Sequence, residues 1–271
     1  MRDRLTYAVL ILVFLVGLLA VLYPSLADYH NSKVQTQAIG NYESVLSNMS
    51  KEDYTALFEE ADEYNRQLAN ITQPFMNYKQ VEGYNDILNV GGNGIIGYVS
   101  IDKISVEIPI YHGTSKAVLS VAAGHLEGSS LPVGGSTTHA AISAHRGLPS
   151  AKLFTNLDKV DVGDTFTITV LDRVLTYQVD SVLIVNPNEM DSLYVTQDED
   201  HCTLITCTPY GINTHRLLVR GTRIETVKEK PPIFVKNEAF IIDPIIVTPI
   251  VAIPMLLMLL VFVLIRYRKK K

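Results

Sequence analysis

Basic residues are scarce in the body of this 271-residue chain. Residues 1–4 carry a net +1 and residues 266–271 carry +5, so an overall charge of −5 leaves −11 for everything between. A body of that sign lacks the clustered Lys and Arg that displace counterions from a phosphate backbone, which sets nucleic acid aside as a partner. Internal repeats and low-complexity tracts are missing too, and the length suits one catalytic domain with appendages. Cysteine is rarer still: Cys202 and Cys207 are the only two.

Charge is also absent from two long stretches at the ends. Leu5 to Leu22 is 18 residues without a charge, about 27 Å as helix against a hydrocarbon thickness of about 30 Å. The length favours an uncleaved anchor, although Ser25-Leu26-Ala27 has the small-residue spacing of a signal-peptide cleavage site. Ile245 to Ile265 is a second uncharged run, with Pro249 and Pro254 inside it and Arg266-Tyr267-Arg268-Lys269-Lys270-Lys271 directly after. Prolines in such a run and the basic stop beyond it read as a transmembrane helix. Basic flanks stay in the cytoplasm, so both termini are expected inside and the segment from about Ala27 to Phe240 outside.

Residues 30–70 read as a pair of helices of about 20 residues each. One apolar stripe is expected through Val34, Ala38, Tyr42, Val45 and Met49, continuing at Tyr54, Leu57, Phe58, Ala61 and Leu68. Ser50-Lys51-Glu52-Asp53 resembles a capping box opening the second helix. After Gly94 the period changes to short alternating runs: Val106, Ile108 and Ile110; Thr165 to Leu171 and Val174 to Val179 about Asp172-Arg173; Thr203 to Cys207; Leu217 to Val219. Short strands separated by turn signals predict a closed barrel or a sandwich. The expected organisation is a cytoplasmic start at 1–4, an anchor at 5–22, a helical extension at 28–90, a β domain at 91–226, a linker at 227–244, a span at 245–265 and a basic tail at 266–271.

Two cysteines in an outward-facing domain invite a disulfide. If Thr203 to Thr206 is a strand, however, a separation of five sends the two side chains to opposite faces, about 16 Å apart along the strand. Free thiols on the outer side suggest that one is kept for reactivity. Cys207, at the end of the run and just before Thr208-Pro209-Tyr210-Gly211, is the better nucleophile, whereas Cys202 reads as a small buried hydrophobe. A thiol nucleophile needs a proton-transfer partner and a group to hold an oxyanion. His145, closing the strand-like Ala140-Ala141-Ile142-Ser143-Ala144, leads for the first role; His139, His201 and His215 also compete, while His30, His112 and His125 have no special context. For the second role, Arg216 and Arg220 share one strand face and spacing favours neither. His201, Cys202 and Cys207 fit no usual zinc pattern.

Thr203-Leu204-Ile205-Thr206-Cys207, however, resembles the TLxTC signature of sortases, with Arg216 at that family's usual distance downstream. Ala144-His145-Arg146-Gly147 looks like the segment carrying the family's histidine, and Ile110-Tyr111-His112-Gly113-Thr114 resembles a stretch frequent in the pilus-assembling class C. The likeness spans roughly 95–225. It implies a mainly β fold, an eight-stranded sortase-type β-barrel with an N-terminal helical extension and two terminal transmembrane helices, on which His145, Cys207 and Arg216 converge. It also implies a transpeptidase that needs no cofactor. Cys207 would attack an LPxTG-like sorting signal, form a thioester, and pass the acyl group to an amine. In class C that amine is a lysine of a pilin; in other classes it belongs to a cell-wall precursor. Class C members often carry a lid with an Asp-Pro-aromatic motif; the matching place, within 72–77, reads Gln73-Pro74-Phe75, and Gln73 cannot supply the carboxylate that would pair with the Arg. A papain-like protease, the other Cys–His class, is disfavoured because His145 precedes Cys207 here.

Overall fold

The computed structural model of the protein describes residues 2–226 and 254–258, together with 261 and 265. Residues 31–227 form one compact unit; residues 1–30 and 228–271 are grouped apart from it. In the first of these segments lies the start of α1 (Arg2–Leu46), a single 45-residue helix that includes Pro24. It is the one helix among the described residues long and apolar enough to cross a membrane. The anchor and the first extension helix, expected as separate elements, therefore belong to one continuous stretch of helix, which Pro24 does not end. Residues 254–258 of the second apolar run are helical; the rest of that predicted span, the linker and the basic tail lie outside the described residues.

In the compact unit, α1 is followed by α2 (Lys51–Ala69), whose start carries the predicted capping box: the Asp53 amide donates to the Ser50 hydroxyl at 3.2 Å and the Ser50 amide to the Asp53 carboxylate at 2.8 Å. Phe58, Ala61, Tyr64 and Leu68 are buried along α2 at helical spacing. The stripe on α1 differs from the one expected. Tyr42 is buried as expected and Ala38 and Met49 pack half-buried against the core, but Gln35, Ile39 and Leu46 are buried where Val34 and Val45 are exposed, so the contact face is turned partway from the one expected. Polar anchors fix that rotation. The Gln35 amide donates to the Val121 carbonyl at 2.6 Å, and the Tyr42 hydroxyl donates to the Ile96 carbonyl at 3.2 Å while accepting from the Leu171 amide at 2.9 Å. An apolar count cannot foresee a glutamine chosen for its reach to a buried carbonyl.

Eight strands follow: β1 (Ile95–Ile101), β2 (Val106–His112), β3 (Ala123–His125), β4 (Thr138–Ser143), β5 (Thr165–Val170), β6 (Arg173–Val185), β7 (Asp200–Thr208) and β8 (His215–Ile224). They close a mixed barrel in the order β1-β2-β3-β4-β7-β8-β6-β5. Closure leaves no edge strand to aggregate. The runs on either side of Asp172-Arg173 form the antiparallel hairpin β5–β6, and β7 and β8, which contain the Thr203 and Leu217 runs, also pair antiparallel. The two parallel contacts are β2 with β3 and β4 with β7. Alternation puts Cys202, Leu204, Leu217 and Val219 into the main core, which also contains Phe154, Phe166 and Tyr177. The opposite face of the same strands presents Ala141, Ile205 and Leu218 to a second, smaller apolar cluster outside the barrel.

Candidate active site

Register alone brings the three candidate groups to one end of that outer face. Cys207 lies directly across from Arg216 in the β7–β8 ladder. On the other side, β4 runs parallel to β7 with Ser143 opposite Ile205. The alignment persists past the end of β4: the Ala144 amide donates to the Ile205 carbonyl at 3.0 Å, and the Thr206 hydroxyl donates to the Ala144 carbonyl at 2.8 Å. His145 therefore reaches the level of Cys207. Three neighbouring strand ends, β4, β7 and β8, carry imidazole, thiol and guanidinium in that order.

Their surroundings differ. Cys207 is half-exposed, whereas Cys202 is fully buried, and burial with the Asp200 carboxylate nearby raises its thiol well above the ordinary range. Both are free, with no disulfide between them. His145 is held below the usual 6.5, first by burial and then by the positive charge of Arg216. Removing that charge is expected to release part of the shift: in Arg216→Gln the His145 titration, followed by NMR at its ring protons, should move upward. A titration left in place would show that the guanidinium does not act on the imidazole.

Of the other histidines, His139 is buried between the Tyr194 carbonyl and the Thr203 hydroxyl, at 3.1 and 2.7 Å. His201 is buried beside Asp180, at 3.8 Å. His215 lies next to Arg216 on β8 and its ring is bonded to the Thr214 hydroxyl at 2.9 Å. His125, which had no special context in the sequence, proves to be a core residue bonded to the Tyr84 hydroxyl and the Ser130 carbonyl.

The arginine tie is broken in the same way. Arg220 is spoken for by Asp180, whose two carboxylate oxygens it meets at 3.0 and 3.1 Å. Arg216 donates from one terminal nitrogen only, to the Asn213 and His215 carbonyls at 3.3 and 3.1 Å. Among the described residues it has no carboxylate partner, so the rest of its fork is available to a ligand carbonyl.

A cavity of about 190 Å³ begins at Arg216 and runs over Ser143, Ile205 and Leu218, walled by Thr114, Leu126, Met190 and Leu193. Its floor is apolar. Beside it sits α3 (Pro74–Asn77), entered through Gln73 in a left-handed conformation with φ of 54° and no side-chain cap. Phe75 packs on the outer cluster and against Tyr194, ring centroids 5.4 Å apart. Gly128 is the seat for this turn: with φ of +91°, it would bring an added Cβ to 2.6 Å from the Phe75 Cα. Leu126, Gly128 and Tyr194 escaped the sequence reading because they come from two loops, β3–β4 and β6–β7, with no local motif. No three His, Cys, Asp or Glu side chains among the described residues are grouped to hold a metal ion.

A closed mixed barrel with thiol, imidazole and guanidinium abreast above an apolar groove describes a class, the cysteine-based barrel enzymes. Comparison with known proteins narrows it. The Sortase domain profile matches residues 99–224. The crystal structure of sortase C1 from Streptococcus agalactiae superposes with a TM-score of 0.65 at 44% identity, covering 70% of this chain and 100% of that one. Sortase C-1 from Streptococcus pneumoniae gives a TM-score of 0.63 at 41% identity, covering 70% and 100%. Sortase A from Bacillus anthracis is 26% identical over 233 residues, 84% of this chain and 99% of the relative. The chain belongs to the sortase family, and the solved structures it resembles are class C sortases.

Proposed function

We propose that this protein is a membrane-tethered cysteine transpeptidase. It would cleave an LPxTG-like sorting signal on surface proteins and join the acyl part to an amine, in pilus assembly a pilin lysine. The observation that carries the reading is the alignment of His145, Cys207 and Arg216 across β4, β7 and β8. In this reading Cys207 passes its thiol proton to His145, Sγ attacks the scissile carbonyl, the amide C–N bond breaks, and His145 hands that proton to the departing amine. A second amine then gives up a proton to His145 and attacks the thioester, expelling the thiolate. Arg216 donates to the oxygen that gains charge in both steps, and the apolar cavity over Ile205 and Leu218 receives the signal's apolar side chains. α1 and the 245–265 run would tether the enzyme with both termini in the cytoplasm and the barrel on the outer side of a bacterial membrane.

The test is incubation with a purified pilin carrying such a signal. SDS-resistant ladders are expected. Transfer to an oligoglycine amine without ladders would favour instead the wall-anchoring role, to which the likeness to a sortase A over nearly its whole length lends support.

The 72–77 turn acts in this reading as a loose lid. Phe75 covers part of the groove, but Gln73 has no charge to offer Arg216. Deleting residues 72–77 is expected to change cleavage of a sorting peptide by about twofold to severalfold, the scale of a gating effect. Activation by orders of magnitude, measured by peptide turnover, would mean that the lid closes far more tightly.

A further inference from the structure

Cys207 and His145 are tied together from behind. Cys202 and Leu204 belong to the main core, so the period of two puts Thr206 and Thr208, the neighbours of Cys207 on either side, on that inner face, where both are buried. Each meets a neighbour of His145. The Thr206 hydroxyl donates to the Ala144 carbonyl at 2.8 Å, and Arg146 donates from Nη1 to the Thr208 hydroxyl at 3.3 Å. Inner-face bonds thus join the residues before the thiol and the imidazole, and again the residues after them.

The second bond is the unusual one. Arg146 is a charged side chain only 8% exposed. Its Nη2 donates to the Asp158 carboxylate at 2.6 Å, and its Nε is buried without a hydrogen-bond partner among the described residues. A buried ion pair returns little net stability, because taking the charges out of water costs about as much as their attraction gives. What this pair supplies is geometry. Its fork spans two segments, with Asp158 in the β4–β5 connection and Thr208 at the end of β7. The guanidinium also lies 5.8 Å from the Tyr210 ring centroid, and Gly147, at φ of +74°, would bring an added Cβ to 3.0 Å from the same ring. The segment after Cys207 therefore rests on the segment after His145. Other bonds hold the β4–β5 connection without Arg146: the Phe154 amide donates to the His145 carbonyl at 3.1 Å, and the Asn31 side chain of α1 donates to the Ser150 carbonyl at 2.6 Å.

We infer that Arg146 is a positioning residue for the proposed reaction: by joining Asp158 to Thr208 it fixes His145 level with Cys207, so that the proton leaving the thiol finds the imidazole in place. This rests on the Cys207–His145 proton transfer of the proposed mechanism and adds what sets its geometry. Arg146 acts from the inner face and takes no part in binding the sorting signal.

Variants of the full chain test it, with acyl-enzyme counted by mass spectrometry so that turnover is expressed per competent molecule. In Arg146→Gln, kcat for transfer from an LPxTG-like peptide to an amine should fall about tenfold to a hundredfold with KM unchanged, the scale of a displacement of about 1 Å. Arg146→Lys keeps the charge but not the planar fork and should lose nearly as much. Thr208→Val cuts the link to β7 while leaving the charge and its Asp158 partner, and should lose severalfold. Combined with Arg146→Gln it should cost nothing further, since both break one contact. Alkylation of Cys207 by iodoacetamide at neutral pH, which needs no peptide, should slow in the same order.

Full recovery in Arg146→Lys would overturn the inference in favour of charge alone, and a raised KM with unchanged kcat in favour of substrate binding. Independent losses in the double variant, or unchanged kcat and alkylation in Thr208→Val, would overturn it as well. Should Arg146→Gln fail to fold, Thr208→Val decides by the same two readouts. A wild type alkylated faster at Cys207 than Thr208→Val, yet never forming an acyl-enzyme, would overturn the transpeptidase reading and leave the brace between the two strand ends standing.

Discussion

Mixed with an LPxTG-like peptide and analysed as intact protein by mass spectrometry, the wild type is expected to gain one acyl fragment and Cys207→Ala none. Transfer to any amine should fall by at least about a thousandfold, because a missing nucleophile leaves only binding and electrostatic catalysis. The control is Cys202→Ala. Cys202 is fully buried in the barrel core, next to Asp200, and its thiol is raised out of the reactive range. It also leaves β7 on the other face, as an odd spacing of five along a strand requires. Cys202→Ala should therefore retain the adduct and show its cost in stability, about 1 kcal/mol for a small side chain removed from a packed site. An adduct that survives in Cys207→Ala and vanishes in Cys202→Ala would overturn the assignment of the nucleophile.

That contrast also shows what could be read from residues alone. Strand period separated the two thiols onto opposite faces, and the β5–β6 hairpin and the Ser50–Asp53 cap were equally local. Meeting of the three candidate groups was not local. It depends on β4 running parallel to β7, a contact across some sixty residues that no period announces. The resemblance carried those residues together; spacing by itself could not choose between Arg216 and Arg220. The rotation of α1 was hidden for a similar reason, since Gln35 is buried by its bond to Val121 and not by its apolarity. The seat of Phe75 was hidden most deeply. Gly128 matters only because another loop passes within touching distance of it.

Arg216→Ala is the second large loss expected, about a hundredfold to a thousandfold in kcat, the usual consequence of removing one donor to a developing oxyanion. Arg216→Lys should recover only part, since an ammonium keeps the charge but loses the planar fork. The argument is sharpened by its neighbour on the same face. Arg220 stands four residues along β8, with the same charge and reach, yet its fork is filled by Asp180, which the Thr222 hydroxyl also grips at 2.6 Å. The pair is about one-third exposed on each side, so Arg220→Ala should cost at most about 1 kcal/mol of stability and little turnover. If electrostatics near the groove mattered only through net positive charge, the two alanine variants would lose activity alike. If the oxygen is held by a directed donor, only Arg216→Ala collapses. Measured kcat for the two variants, with acyl-enzyme levels to show which step has slowed, separates a directed contact from a diffuse field.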